Sequence, residues 1–247
     1  MLNTDKDPIS HPNFLEDEFS YEWHMSRNER YAFIKLLEKI KPKTAIEIGC
    51  FKGGSLEVLS KYCEKVYSFD IMPSVKKNLD AAFPNVEIMI GDSAKLVPDV
   101  IKKIDQDPEE QLEFVLIDGD HSYKGVQRDI RAVLEHKIKN RVFVVFHDSF
   151  NPICRKAILN INYDEYPHVQ YVELDYISGL FLKSEKIYRE MWGGLALMVL
   201  DKKPRQGKLK VSQCQKLMFD AIYWRSIHPV RDNLLFLKPL MKKMLKR

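Results

Sequence analysis

Five short apolar runs, each followed by a helical pattern, limit the fold of this chain more than any other feature. Thr44–Ile48, Lys65–Ile71, Val86–Ile90, Phe114–Ile117 and Val142–Phe146 read as strands. The intervening stretches, roughly Ser55–Cys63, Ser74–Phe83, a run from Ser93 to about Ile104 and another from Gly125 to about His136, read as helices. Strand and helix alternating over more than 100 residues require crossover connections. They therefore predict an α/β fold with a parallel sheet covered on both faces. Before the first strand, Ser26-Arg-Asn-Glu29 is a capping-box pattern that opens a helix to about Ile40. Beyond the fifth strand the alternation loosens. Val169–Leu174 and Leu195–Leu200 read as two more strands, expected as an antiparallel addition at the sheet edge. The expected organisation is a lead-in over 1–25 that lies across the site, one domain over 26–205, and a basic amphipathic extension over 206–247.

Composition narrows the class of partner. A 45% hydrophobic and 30% charged chain of 247 residues is ordinary for a globular protein with a sizeable core. A net charge of +4 is too mild to argue for nucleic acid. No apolar run approaches the ~20 residues that span a bilayer, and Met1–Pro8 lacks the basic start and apolar run of a signal peptide. Cys50, Cys63, Cys154 and Cys214 have no metal-ligand spacing, so reduced thiols in a cytoplasmic protein are expected.

The strand ends carry the chemistry. The first strand runs into Gly49-Cys-Phe-Lys-Gly-Gly-Ser55, a turn in which backbone N–H groups and a helix N-terminus face a ligand. A dinucleotide site wants glycine where Phe51 stands, because the pyrophosphate passes there. A phosphate loop wants Lys and then Ser or Thr after Gly54, where Ser55-Leu56 stands. What remains is a nucleoside without phosphate. Asp70 ends the second strand 23 residues after Glu47, where a carboxylate takes both ribose hydroxyls. Asp92-Ser93 ends the third strand within reach of a base edge. Glu47 and Asp118 put negative charge where a cationic amino acid moiety would sit. Acidic residues around a phosphate-free nucleoside suit S-adenosylmethionine, whose sulfonium and ammonium are positive.

The ordered set Glu-Ile-Gly-x-x-x-Gly-Gly-Ser55, Asp70, Gly91-Asp-Ser93, Ile117-Asp-Gly-Asp-His-Ser-Tyr123 and Phe146-His-Asp-Ser149 resembles the class I S-adenosylmethionine-dependent methyltransferases. More narrowly it is similar to the small-molecule and sugar O-methyltransferases, the group with macrocin-type and cephalosporin-hydroxylase-type proteins. The resemblance spans roughly residues 26–200. It implies a Rossmann-like, doubly wound, seven-stranded and mostly parallel sheet whose last strand is antiparallel. It also implies that Glu47, Gly49, Gly53, Ser55, Asp70, Ile71, Asp92 and Ser93 line the cofactor, joined by Asp118. The expected activity is methyl transfer to a hydroxyl of a sugar, glycan or small polar metabolite. A cofactor-binding scaffold of a glycan-biosynthesis assembly is the alternative.

A protonated hydroxyl is a poor nucleophile, so a base or a metal beside it is useful. By the same resemblance, Asp118 and the pair 147–148 hold a divalent ion in metal-dependent members, and the side chain three residues after the first accepts the proton. Here that is His121, whose ordinary pKa of ~6.5 suits base chemistry near neutrality. His147 stands where those members carry Asp, Glu or Asn. The set Asp118, His147 and Asp148 suits a transition metal better than Mg²⁺, and a metal-free centre stays open. At the C-terminus, Leu234–Arg247 interleaves apolar residues with five basic ones and no acid. Both a helix packed on a neighbour or second copy and an interfacial helix on an anionic membrane fit it.

Overall fold

The computed structural model describes residues 19–184 and 187–234. Helix α1 (Arg27–Ile40) opens with the expected capping box: Ser26 Oγ accepts from Glu29 N–H, and Glu29 Oε2 accepts from Ser26 N–H. The elements then alternate as β1 (Thr44–Ile48), α2 (Gly54–Tyr62), β2 (Lys65–Asp70), α3 (Pro73–Leu79), β3 (Val86–Ile90), α4 (Ser93–Gln106), β4 (Leu112–Ile117), α5 (Tyr123–Leu134), β5 (Val142–His147) and α6 (Pro152–Leu159). Helix α5 starts before Gly125 because Ser122 caps it, its Oγ accepting from Gly125 N–H at 3.0 Å. The chain continues through β6 (Val169–Ile177), the hairpin β7 (Leu180–Leu182) and β8 (Glu190–Trp192), β9 (Leu195–Leu200), α7 (Lys216–Arg225) and α8 (His228–Leu234). Helix α6 and the hairpin fall in stretches where the sequence shows no clear period.

Seven strands form one sheet in the order β3-β2-β1-β4-β5-β9-β6. The first five pair in parallel, while β9 runs antiparallel to both β5 and β6. The antiparallel strand is thus the last in sequence, as expected, yet it lies inside the sheet. The two late strands do form the expected antiparallel addition at the edge of the parallel strands, with β9 placed beside β5 and β6 outermost. Successive residues of β4 alternate between two cores. Val115 and Ile117 pack with α4, α5 and α6; Phe114 and Leu116 pack with α1, α2 and α3. A strand buried on both faces has no polar side to show, which is why these runs read as continuously apolar.

Strand order reverses between β1 and β4. A crevice opens at such a switch point beyond the carboxyl ends of the strands. Residues 19–25 cross over α2, where Ser20 and Tyr21 N–H donate to Glu57 Oε2 at 2.8 and 3.0 Å. This brings His24 to the crevice. Residues 1–18 of the lead-in lie outside the described residues.

Candidate active site

A cavity of about 790 Å³ fills the crevice, within the size range of small-molecule sites. At its floor Gly49 turns with φ +88°, and a Cβ there would meet the Asp118 carbonyl oxygen at 2.2 Å. Only glycine lets β1 and β4 approach so closely at their exits. Asp70 sits at the end of β2 with its carboxylate fixed: Oδ2 accepts Phe51 N–H at 3.0 Å and Oδ1 accepts Met72 N–H at 2.8 Å. Asp92 caps α4 by accepting Ala94 N–H at 3.2 Å. Ser93 Oγ donates to Asp129 Oδ1 at 2.6 Å. Gly49, Asp70, Ile71, Asp92, Ser93 and Asp118 all line the cavity.

Three of the residues expected at the cofactor do not line the cavity. Glu47 is fully buried, and its two oxygens are taken by Ser55 Oγ at 2.6 Å and Ser68 Oγ at 2.8 Å. Its place inside β1 points it under α2, away from the crevice. Ser55 is its partner in that buried network. Gly53 caps α2 with φ +87°, its N–H donating to Cys50 O at 2.7 Å. Burial pushes the Glu47 carboxyl up to about 8, against the two serine hydrogen bonds. Glu47 is therefore a neutral brace near pH 7.

On the other side of Gly49, β4 and β5 deliver four side chains to one point. His147 Nδ1 is 3.0 Å from Asp118 Oδ1 and 3.7 Å from Asp148 Oδ2. His121 Nε2 is 3.4 Å from Asp118 Oδ1 and 3.2 Å from Asp148 Oδ2. Burial raises Asp118, but the two imidazoles outweigh it and hold the carboxyl down to about 2. Burial opposes charge on His147, yet Asp118 and Asp148 raise it well above 6.5. His121 is raised above 6.5 by its hydrogen bond to Asp118 and the charge of Asp148. Asp148 is raised, mainly by burial.

Two residues of this wall escaped the sequence reading. Glu29, 1% exposed on α1, lines the cavity with Oε1 3.4 Å from His147 Nε2. That nitrogen has no aligned hydrogen bond. The capping-box role of Glu29 hid its second role. Asp129 also lines the cavity, and burial pushes its carboxyl up to about 6. It lies on the apolar face of α5 with Val126, Ile130 and Val133; an acid in that phase was a legible signal. The outer wall is apolar. Leu180, Leu182, Ile187 and Trp192 from the hairpin face the crevice, with the Trp192 ring 5.8 Å from His121.

A glycine turn at a switch point, a fixed carboxylate at the end of β2 and a capped acid after β3 share one crevice of an α/β fold with an acid–imidazole cluster. Residues 46–149 match the family model described as a methyltransferase domain. No curated protein matches the chain. Among solved structures, an O-methyltransferase from Bacillus cereus in complex with SAH is 16% identical, over 72% of this chain and 82% of that one, with a TM-score of 0.50. An rRNA methylase from Streptococcus thermophilus is 12% identical, covering 70% and 96%, with a TM-score of 0.45. An N-methyltransferase from Bradyrhizobium japonicum is 14% identical, covering 72% and 96%, also at 0.45. The chain thus carries a methyltransferase domain over residues 46–149, on the Rossmann-like fold that it shares with the O-methyltransferase from Bacillus cereus.

Proposed function

We propose that this methyltransferase acts on a hydroxyl of a sugar, glycan or small polar metabolite, with His121 as general base. The observation that carries this reading is the meeting of His121 with Asp118 and Asp148 in the same cavity as Gly49 and Asp70. S-adenosylmethionine supplies a methyl group on a positively charged sulfur. Asp70 takes the ribose hydroxyls with the carboxylate that Phe51 and Met72 already orient, and Asp92 and Ser93 stand by the base. The brace of Glu47 with Ser55 and Ser68 holds the glycine turn from behind.

Asp118 and Asp148 both face His121 Nε2, so they favour the tautomer with the proton on that atom. Nδ1 is then the acceptor for the proton of the attacking hydroxyl. The imidazolium that results is stabilised by the two carboxylates, the logic of an acid–histidine pair. Asp118 Oδ1, Asp148 Oδ2 and His147 Nδ1 lie within 4.8 Å of one another, and this donor set fits a divalent ion. These three residues would hold it, and a bound cation there would favour the deprotonated hydroxyl.

The methyltransferase domain is taken as 26–205, with 206–247 as an extension. A cytoplasmic location is supported by Cys50, Cys63, Cys154 and Cys214, all free thiols. Among the described residues no helix is long and apolar enough to cross a membrane. The test is transfer of labelled methyl to nucleotide sugars, free glycans and small phenols. Transfer to sugar hydroxyls that collapses in His121→Ala supports the reading; transfer that survives the substitution overturns the base.

A further inference from the structure

Helix α7 carries an apolar stripe on the wrong side. Its inner face packs: the Phe219 ring lies 5.5 Å from Phe150 and under the Arg155 guanidinium at 4.3 Å. Leu217, Ala221 and Trp224, at i, i+4 and i+7, form the opposite face and are exposed. Leu217 is 87% and Trp224 73% exposed, and Val230 on α8 is 61% exposed. Contiguous apolar side chains left in water mark a contact surface.

Charge says what covers it. Among the described residues, 202–234 hold eight of the chain's 39 Lys and Arg but two of its 35 Asp and Glu. One of those acids, Asp220, is already paired with Lys216 at 2.5 Å, and the other, Asp232, accepts from Tyr223 OH at 3.0 Å. A second copy docked through this face would bring two strongly positive regions together. A nucleic acid would match the charge but leave the aliphatic side chains without partners. An anionic bilayer matches both, since the headgroups take the lysines and the acyl boundary takes Leu217 and Trp224.

We propose that the outer face of α7, in a stretch of chain rich in Lys and Arg, seats this enzyme on an anionic membrane surface. The seat is coupled to the acceptor side of the cavity. Met191 N–H of β8 donates to His228 Nε2 of α8 at 3.1 Å, and Ile227 N–H donates to Arg189 O at 3.0 Å. The hairpin that walls the acceptor cavity hangs from the unit that would touch the lipid, with Phe181 and Tyr188 of the hairpin region also exposed. This inference does not depend on which hydroxyl is methylated.

The experiment is co-sedimentation of the full chain with vesicles of phosphatidylcholine plus phosphatidylserine, and with phosphatidylcholine alone. Binding to the anionic vesicles only, weakened by salt and reduced roughly tenfold or more in Leu217→Ser/Trp224→Ser, is the expected result. Calorimetry with S-adenosylmethionine serves as the folding control, and the double variant should bind it like wild type. Equal sedimentation of wild type and double variant overturns the proposal. So does a dimer that the double variant abolishes, or vesicle binding that RNA displaces.

Discussion

Glu47→Gln isolates one buried group whose protonation ties stability to pH. Glu47 is fully buried between Ser55 and Ser68 and titrates at about 8 in the fold, against 4.5 as its ordinary value. The folded state therefore keeps a proton that the unfolded state releases. Stability is greatest below the unfolded value and falls as pH rises, by about 1.36 kcal/mol per pH unit, until the folded value is reached. From pH 5 to 7.5 the loss is about 3 kcal/mol, a large share of a domain's ~5–15 kcal/mol. Glutamine copies the neutral acid: its carbonyl accepts from one serine and its amide donates to the other. It does not titrate. Urea unfolding of both proteins at pH 5, 6, 7 and 8 should show the variant gaining on wild type by about 1 kcal/mol at each step, least in the last as the folded value is reached. A constant difference across the series would show that Glu47 is ionised in the fold and refute the neutral brace.

Asp70→Ala should weaken S-adenosylmethionine roughly 10–100-fold by calorimetry, while His121→Ala should leave that affinity within about threefold and cut kcat roughly 10²–10⁴-fold; similar cofactor losses in both variants would undo the division of roles. Because His121 is raised above 6.5 and must be unprotonated to act, kcat/KM should fall as pH drops through a value above 6.5. A profile flat down to pH 6 contradicts the base. Chelation followed by elemental analysis tests the ion: activity lost and restored by Mn²⁺, with no metal retained by Asp118→Ala, is expected, and full activity in metal-free protein removes it. Gly49→Ala, whose Cβ would strike the Asp118 carbonyl, should cost more than about 3 kcal/mol of stability in urea and abolish cofactor binding; wild-type stability would mean that β1 and β4 part easily.

The sheet was readable because each strand is short, apolar and ended by a polar residue of a distinct kind. β1 and β3 match their expected bounds, and β2 and β5 differ from theirs by one residue at the C-terminal end. The insertion of β9 beside β5 was not readable, since a buried strand shows the same apolar run in the middle of a sheet as at its edge. The site divided along similar lines. Acids at strand exits announce themselves, and Asp70, Asp92 and Asp118 do line the crevice. An acid in the middle of a strand gives no sign of which face it takes, and the pairing of Glu47 with Ser55 and Ser68 is visible only in the fold. Glu29 shows the converse: one side chain serves a helix cap and an imidazole 118 positions away, and only tertiary structure joins them.

The turn after β8 has a practical consequence. Gly193 N–H donates to Asp148 Oδ1 and Gly194 N–H to Glu29 Oε1, while Ser149 and Phe150 N–H donate back to the carbonyls of Gly194 and Gly193. At the other foot of the hairpin, a Cβ on Gly179 would lie 2.4 Å from Phe150 Cβ. Both feet are thus pinned to the loop that carries Asp148, and β8 is tied in addition to α8 through Arg189 and Met191. Residues 180–192 form a cassette whose graft must keep that second tie. Acceptor preference should be exchangeable by grafting that segment from another methyltransferase, provided that glycine stays at 179, 193 and 194. A graft that cuts inside those glycines would retune the pocket, and one that replaces them would dismantle the centre it was meant to serve.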